Sequence, residues 1–121
     1  MQLIRGLHNL NRFKAQLAKG CVLTIGNFDG VHLGHQQVLD TVNKQAKQLG
    51  LPCVVMIFEP LPIEFFAPQQ APVRLMNLRE KLQAFKHTEI DYVLCVRFNA
   101  KFAALTAQQF IDTVLLQGLN V

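Results

Sequence analysis

The sequence predicts an α/β fold built on a doubly wound parallel sheet. Three apolar runs of strand length, at 21–25, 53–58 and 92–98, alternate with segments whose apolar residues recur at helical spacing. Near-continuous apolar runs are typical of strands buried on both faces, as in parallel sheets. Strands that alternate with helices imply crossover connections and helices on both faces of the sheet. The chain has 121 residues, of which 50% are hydrophobic, so it is long enough to bury the core of one domain.

The N-terminal half contains a predicted helix on each side of the first strand. Leu10, Phe13 and Leu17 lie at helical spacing and predict the first helix. The strand at 21–25 then ends at Gly26, where a loop begins. The helix after this loop has one apolar face, formed by Val38, Leu39, Val42, Ala46 and Leu49.

The second strand leads into a proline-rich loop. This strand occupies 53–58, and the loop extends to about Pro72 with a short turn at 63–66. The third strand, at 92–98, completes the same strand-and-helix cycle.

Two capping boxes predict where the later helices begin. Asn77 is followed three residues later by Glu80, and Thr106 is followed in the same way by Gln109. In each pair the first side chain caps the helix and the second returns to the capping residue. The second of these helices is predicted to end at Gly118.

The last residues, at 119–121, are predicted to begin a fourth strand, so the sheet is expected to be truncated there. In an open doubly wound sheet, later strands add beside the first strand. The strand at 21–25 would then be left as an exposed apolar edge, which proteins normally cover. We therefore expect the chain to be the N-terminal part of a longer protein, or to associate with itself through this edge.

Composition excludes several classes of protein. The net charge is only +4 and is spread along the chain, so no nucleic-acid partner is predicted. The longest apolar run, at 53–58, is too short to span a membrane, and the first residues lack the apolar core of a signal peptide. Cys21, Cys53 and Cys95 are an odd number without a CxxC pair, and we interpret them as small buried apolar residues. A cytoplasmic protein is expected.

The loop at 26–35 has the composition of a phosphate-binding loop. It contains three glycines, which allow close backbone approach to a ligand, and it leads into a helix N-terminus, which favours an anion. His32 and His35 are three residues apart, so both imidazoles project on one side of the first helical turn. The common phosphate-loop patterns, GxxxxGK[ST] and GxGxxG, are both missing.

Three segments together resemble one enzyme family. Residues 32–35 read HLGH and match the HxGH signature of the nucleotidylyltransferases. With GNFDGVHLGH at 26–35, FEPLPIEFF at 58–66 and FAALT at 102–106, the chain closely resembles the bacterial bifunctional riboflavin kinase/FMN adenylyltransferases, the FAD synthetases. The resemblance covers essentially the whole chain and implies a Rossmann-like sheet of the nucleotidylyltransferase type. Residues 1–121 would be the N-terminal portion of the single FMN adenylyltransferase domain.

The resemblance implies transfer of AMP from ATP to FMN, giving FAD and pyrophosphate, with Mg²⁺ accompanying the ATP. It makes His32 and His35 the catalytic residues that hold the ATP phosphates, and it gives Pro60, Pro62 and Phe65 to the flavin site. No metal site built from protein side chains is predicted. The same loop would bind the nucleotide through Gly26, Asn27, Phe28, Asp29, Gly30, His32, Gly34 and His35.

The chain departs from the family pattern because it lacks the later Ser/Thr-rich nucleotide motif with its arginine and the riboflavin kinase domain. We expect the 121 residues alone to be inactive or nearly so, although the parent would be a competent enzyme. Two alternatives remain open: another HxGH nucleotidylyltransferase, and a non-catalytic module that binds nucleotide or flavin.

Several residues also have simpler interpretations. His32 and His35 have the spacing of a zinc pair but lack an evident third ligand apart from Asp29. Asp29 more naturally orients the loop by accepting backbone N–H bonds, with direct Mg²⁺ ligation as the alternative. The prolines at 60 and 62 are consistent with ordinary strand termination, and Phe65 and Phe66 are interpreted as core residues rather than flavin contacts.

Overall fold

The computed structural model describes residues 1–30, 33–71 and 73–121. Its sheet has four parallel strands, in the order β1-β4-β3-β2. The strands are β1 (Gln2–Arg5), β2 (Val22–Ile25), β3 (Cys53–Glu59) and β4 (Tyr92–Arg97). The α-helices are α1 (Leu33–Leu49), α2 (Pro62–Phe66), α3 (Leu78–Phe85), α4 (Ala100–Ala103) and α5 (Ala107–Gln109). A 3₁₀ helix covers Leu7–Phe13, and a π-helix, Phe110–Gly118, continues α5.

The predicted α/β class and doubly wound arrangement are confirmed by two apolar clusters on opposite faces of the sheet. β3 lies between them and contributes alternate side chains: Val54 and Met56 lie on one face, and Val55 and Ile57 on the other. Helices α1 and α3 cover the second face, whereas the 3₁₀ helix and the π-helix cover the first. The four β3 side chains are at most 1% exposed, so their burial on both faces provides the rigid centre of the fold.

The N-terminal prediction is partly wrong. Strand β1 was not predicted from the sequence; it pairs in parallel with β4 and forms one edge of the sheet. The helix predicted from Leu10, Phe13 and Leu17 is a 3₁₀ helix that begins earlier, at Leu7, and ends at Phe13. Leu10 and Leu17 are nevertheless buried, because the turns that follow the 3₁₀ helix direct Leu17 into the same cluster.

Strand β2 is less buried than predicted. It pairs only with β3 in the described sheet, so it forms the edge opposite β1. Ile25 is 43% exposed, whereas the sequence predicts burial on both faces. The expectation of an exposed apolar edge at this strand is therefore confirmed.

The strand predicted at 119–121 is wrong. Leu119 caps the π-helix, donates its N–H to the Val114 carbonyl at 2.9 Å, and is fully buried in the first-face cluster. Asn120 has a left-handed backbone (φ 57°), and its side-chain amide donates to the Leu17 and Ala18 carbonyls. Leu119 is therefore part of the buried core, and the last residues do not extend the sheet.

Both predicted capping boxes are confirmed. Glu80 N–H donates to the Asn77 side chain at 2.8 Å, and Asn77 N–H donates to the Glu80 carboxylate at 3.2 Å. Thr106 and Gln109 make the corresponding pair of bonds at the start of α5. Each box satisfies backbone donors that the first helical turn leaves without intrahelical partners.

The cysteines behave largely as predicted. Cys21 and Cys53 are buried and Cys95 is half-buried, and all three are free thiols. Burial raises the pKa of Cys21 and of Cys53 to about 11, which keeps both as unreactive thiols near neutral pH.

Candidate active site

The two predicted substrate loops leave neighbouring parallel strands at the same edge of the sheet. The glycine-rich loop, at 26–30 in the described chain, follows β2, and the proline-rich segment begins directly after β3. Gly26 continues the strand pairing for one residue, since its N–H donates to the Met56 carbonyl at 3.1 Å. The carboxyl ends of parallel strands are where open α/β sheets bind ligands.

The conformation of the glycine-rich loop is set by Phe28. This residue has a left-handed backbone (φ 51°), and its ring is only 4% exposed. The ring packs against Phe85 of α3 and His35 of α1, with centroid distances of 5.7 and 5.1 Å. It also folds back over Gly26, where a Cβ atom would lie 2.8 Å from the Phe28 ring. The glycine at position 26 is therefore required by close packing.

A Gly26→Ala substitution is expected to destabilise the protein by about 1–2 kcal/mol, because the added methyl group must displace a buried ring. Chemical denaturation measures this cost. The matched control places the same substitution in a Phe28→Leu background, which removes the ring atoms that the methyl group meets. The cost should be smaller there. An equal cost in both backgrounds would contradict the proposed clash.

Asp29 connects the glycine-rich loop to the segment that precedes α3. Its carboxylate accepts the Leu75 N–H at 2.9 Å and the Met76 N–H at 2.9 Å. The hydrogen bond from Leu75 is the main cause that lowers the pKa of Asp29, with further contributions from Met76 and the nearby Lys81. The interpretation of Asp29 as a residue that orients the loop through backbone N–H bonds is therefore confirmed.

Arg74 connects the same segment to the proline-rich loop. Its guanidinium donates two hydrogen bonds to Glu59, at 2.8 and 3.0 Å, and two to Glu64, at 2.6 and 2.8 Å. Glu59 ends β3 and Glu64 lies in α2, so Arg74 holds the start of the proline-rich segment against the strand end. Its hydrogen bonds lower the pKa of Glu64, and both carboxylates raise the pKa of Arg74.

Residues 74–76 thus connect the two loops, and we call them the bridging segment. Arg74 fixes the proline-rich loop, while the Leu75 and Met76 amides fix Asp29 in the glycine-rich loop. Arg74 forms ion pairs with both Glu59 and Glu64. Neither these carboxylates nor the two backbone amides could be recognised from the sequence as partners that join the loops.

Of the two predicted catalytic histidines, the structure describes His35, which lies half-buried in the first turn of α1 beside Phe28. The prediction for His32 lies outside the described residues, as does Pro72 of the long loop. Gly34 lies in the same helical turn as His35. Their assignment to nucleotide binding stays a prediction.

The predicted flavin residues lie at the carboxyl end of β3. Pro62 begins α2, and Phe65 within it is 37% exposed. The Phe65 ring contacts Phe66 and Phe98 edge-on, at centroid distances of 5.2 and 5.6 Å. Phe66 is 66% exposed, so the interpretation of these two residues as core is wrong. They form an open aromatic surface instead.

A cavity of about 760 Å³ lies elsewhere on the protein, beside β1 and β4. Its walls come from the 3₁₀ helix and the π-helix, and among the described predicted site residues none lines it. No described residue of the glycine-rich loop lines this cavity.

The described residues contain no group of three His, Cys, Asp or Glu side chains that could hold a metal ion. Both oxygens of Asp29 accept backbone N–H bonds, which makes this carboxylate a poor candidate for direct Mg²⁺ ligation. Mg²⁺ commonly binds through substrate phosphates with few protein ligands, and the site is compatible with that arrangement. The zinc interpretation depends on His32 and lies outside the described residues.

Among the residues that the structure describes, no helix has both the length and the apolar character needed to cross a membrane.

Comparison with known proteins gives consistent matches. The chain is 53% identical over all 121 residues to a bifunctional riboflavin kinase/FMN adenylyltransferase of Escherichia coli, of which it covers 38%. It is 48% identical over the same length to the protein of that name from Haemophilus influenzae, again covering 38%. The chain therefore spans well under half the length of these relatives.

One solved structure supports the fold, and a family profile gives the family. A structure from Streptococcus pneumoniae, described as a macrolide-efflux protein, matches with a TM-score of 0.69 and 32% identity. The match covers 83% of this chain and 38% of the other. The profile described as FAD synthetase matches residues 14–121. The chain belongs to the FAD synthetase family.

Proposed function

We propose that this chain provides the N-terminal portion of an FMN adenylyltransferase domain, which transfers AMP from ATP to FMN. The observation that carries the proposal is the bridging segment, which holds a glycine-rich loop and an aromatic, proline-rich loop side by side at one sheet edge. Such an arrangement suits a reaction that must align two substrates. The names of the relatives and the family match support the same activity.

In the proposed reaction, a phosphate oxygen of FMN attacks the α-phosphorus of ATP. The new bond gives FAD, and the bond to the β-phosphate oxygen breaks to release pyrophosphate. A phosphate nucleophile needs no strong base, so catalysis depends on alignment and on stabilising the phosphate charge. His32 and His35 would donate hydrogen bonds to that charge, and Mg²⁺, when bound, would neutralise part of it.

The loops divide the substrates between them. Asn27 and Gly30 of the glycine-rich loop, together with Gly34 at the start of α1, would approach the nucleotide, and Asp29 would hold the loop in place. The exposed ring of Phe65 and the prolines at 60 and 62 would contact the flavin, since an aromatic face stacks favourably on a planar ligand.

The test measures FAD formation from FMN and Mg-ATP by chromatography. It compares the chain ending at Val121 with the same chain continued to the length of its relatives, which we call the extended protein. We expect FAD from the extended protein and little or none from the shorter chain. FAD from neither would contradict the proposed function, whereas ATP or flavin binding by the shorter chain would identify it as a binding module.

The remaining parts of the proposal concern association and location. The extended protein would also phosphorylate riboflavin and would act in the cytoplasm.

Self-association of the shorter chain would occur through the open edge of β2, where Ile25 is exposed. Sedimentation measures the oligomeric state of the shorter chain and of the extended protein, and a monomeric shorter chain would contradict this self-association.

A further inference from the structure

Lys81 is a buried lysine directly beneath the glycine-rich loop. It lies in α3, its side chain is 1% exposed, and its Nζ atom donates a hydrogen bond to the Asn27 carbonyl at 2.7 Å. Lysine is rarely buried unless its charge has a specific partner, because removing an ammonium group from water is costly. Burial accordingly lowers the pKa of Lys81, while the nearby carboxylates of Asp29 and Glu59 oppose that shift.

The same face of α3 contacts the loop twice. Phe85 lies four residues after Lys81, which places both side chains on one side of the helix. Lys81 binds the carbonyl of Asn27, and Phe85 packs against the ring of the next residue, Phe28. Phe85 is fully buried, so α3 supports two consecutive loop residues from the protein interior.

The hydrogen bond to Asn27 fixes the direction of one peptide group. In a trans peptide, the C=O of one residue and the N–H of the next point in opposite directions. Since the Asn27 carbonyl points toward the buried Lys81, the Phe28 N–H of the same peptide group points in the opposite direction, away from α3. None of the described residues accepts a hydrogen bond from this N–H. A phosphate oxygen is an acceptor that would suit it.

We propose that Lys81 is a positioning residue for the nucleotide: its buried ammonium group holds the Asn27 carbonyl inward and so presents the Phe28 N–H to a phosphate oxygen of ATP. The inference rests on the proposed function, since it takes the glycine-rich loop as the nucleotide site. It adds a residue on α3, whereas His35 lies on α1. Lys81 need not touch the ligand for this role.

The test compares three substitutions in the extended protein. Lys81→Met removes the charge and the donor but retains a long apolar side chain, and Lys81→Arg retains a charged donor. Lys86→Met is the matched control, because this exposed lysine caps the other end of the same helix. FAD formation is followed at saturating FMN with ATP varied. Thermal unfolding is measured for every variant.

We expect Lys81→Met to raise KM for ATP at least about tenfold, which is the scale of a lost charge-assisted hydrogen bond, with a smaller change in kcat. Lys81→Arg should recover most of that loss, and Lys86→Met should stay within twofold of the wild type. Should Lys81→Met fail to fold, Lys81→Leu provides a second variant without charge or donor, with the same expected result. A folded neutral variant with unchanged KM and kcat would overturn the inference.

A second readout separates this inference from the proposed function. The amide resonance of Phe28, observed by NMR without nucleotide, should shift in Lys81→Met and stay unchanged in Lys86→Met. If the wild type forms no FAD, the proposed function fails, and the Phe28 resonance then decides the role of Lys81. An unchanged resonance in Lys81→Met would overturn the inference, whereas a shift confined to the loop would show that Lys81 orients this peptide group even if the proposed function fails.

Discussion

Replacing His35 by alanine in the extended protein is expected to slow adenylyl transfer by about 10²–10³, the scale for losing one donor that stabilises transition-state charge. His35 lies in the first turn of α1, where backbone N–H groups and the helix dipole already favour an anion. Its imidazole would add a donor at the place where charge develops on the leaving pyrophosphate. The same loss is expected for His32→Ala. Steady-state rates with both substrates saturating measure the effect.

The control must account for packing, because the His35 ring contacts the buried Phe28 ring. His35→Asn retains a side-chain N–H donor and should be less damaging to the rate than alanine. His87→Ala alters an exposed histidine just beyond α3 and should leave the rate unchanged. A change under threefold at both His32 and His35 would remove these residues from catalysis.

The parts of the fold that sequence predicts are those with a strong local signal. β3 could be predicted because a near-continuous apolar run is typical of a strand buried on both faces, and because a proline follows the strand. The starts of α3 and α5 could be predicted because capping boxes are local contacts between residues three apart. The orientation of the glycine-rich loop by Asp29 followed from the usual behaviour of aspartate in turns.

The parts that sequence analysis missed depend on distant partners. β1 has four residues, and it is recognisable as a strand only through its pairing with β4, about ninety residues later. The 3₁₀ helix shares the apolar spacing of a short α-helix, so periodicity alone does not separate the two. The apolar residue Leu119 resembles a strand residue in sequence, yet its backbone closes a helix.

The site shows the same division between local and distant information. The HxGH motif is visible in the sequence because its residues are adjacent. Lys81 and Arg74 were not identified as loop supports, because lysine and arginine are usually exposed and their partners lie up to 54 residues away. Only the structure shows that the two loops are connected through the bridging segment.

Arg74→Met should destabilise the protein by about 2–3 kcal/mol at neutral pH, because it leaves Glu59 and Glu64 without their shared cation. Breaking a fully buried ion pair costs about 3–5 kcal/mol, and the exposure of these side chains, between 20% and 35%, reduces that figure. Arg74→Lys should be intermediate, since an ammonium group cannot reproduce the two-point contact with a carboxylate. Arg79→Met, on the exposed part of α3, is the matched control.

The pH dependence tests the origin of this loss. Arg74 lowers the pKa of Glu64 in the folded protein below its ordinary value of 4.5. The resulting stabilisation is therefore complete above pH 4.5 and is lost as the pH falls through the lower, folded-state pKa. The stability difference between wild type and Arg74→Met should be constant from pH 7 to about 5 and should shrink in more acidic solution. A difference that stays constant down to pH 3 would mean that packing of the arginine stem, rather than its charge, holds the proline-rich loop.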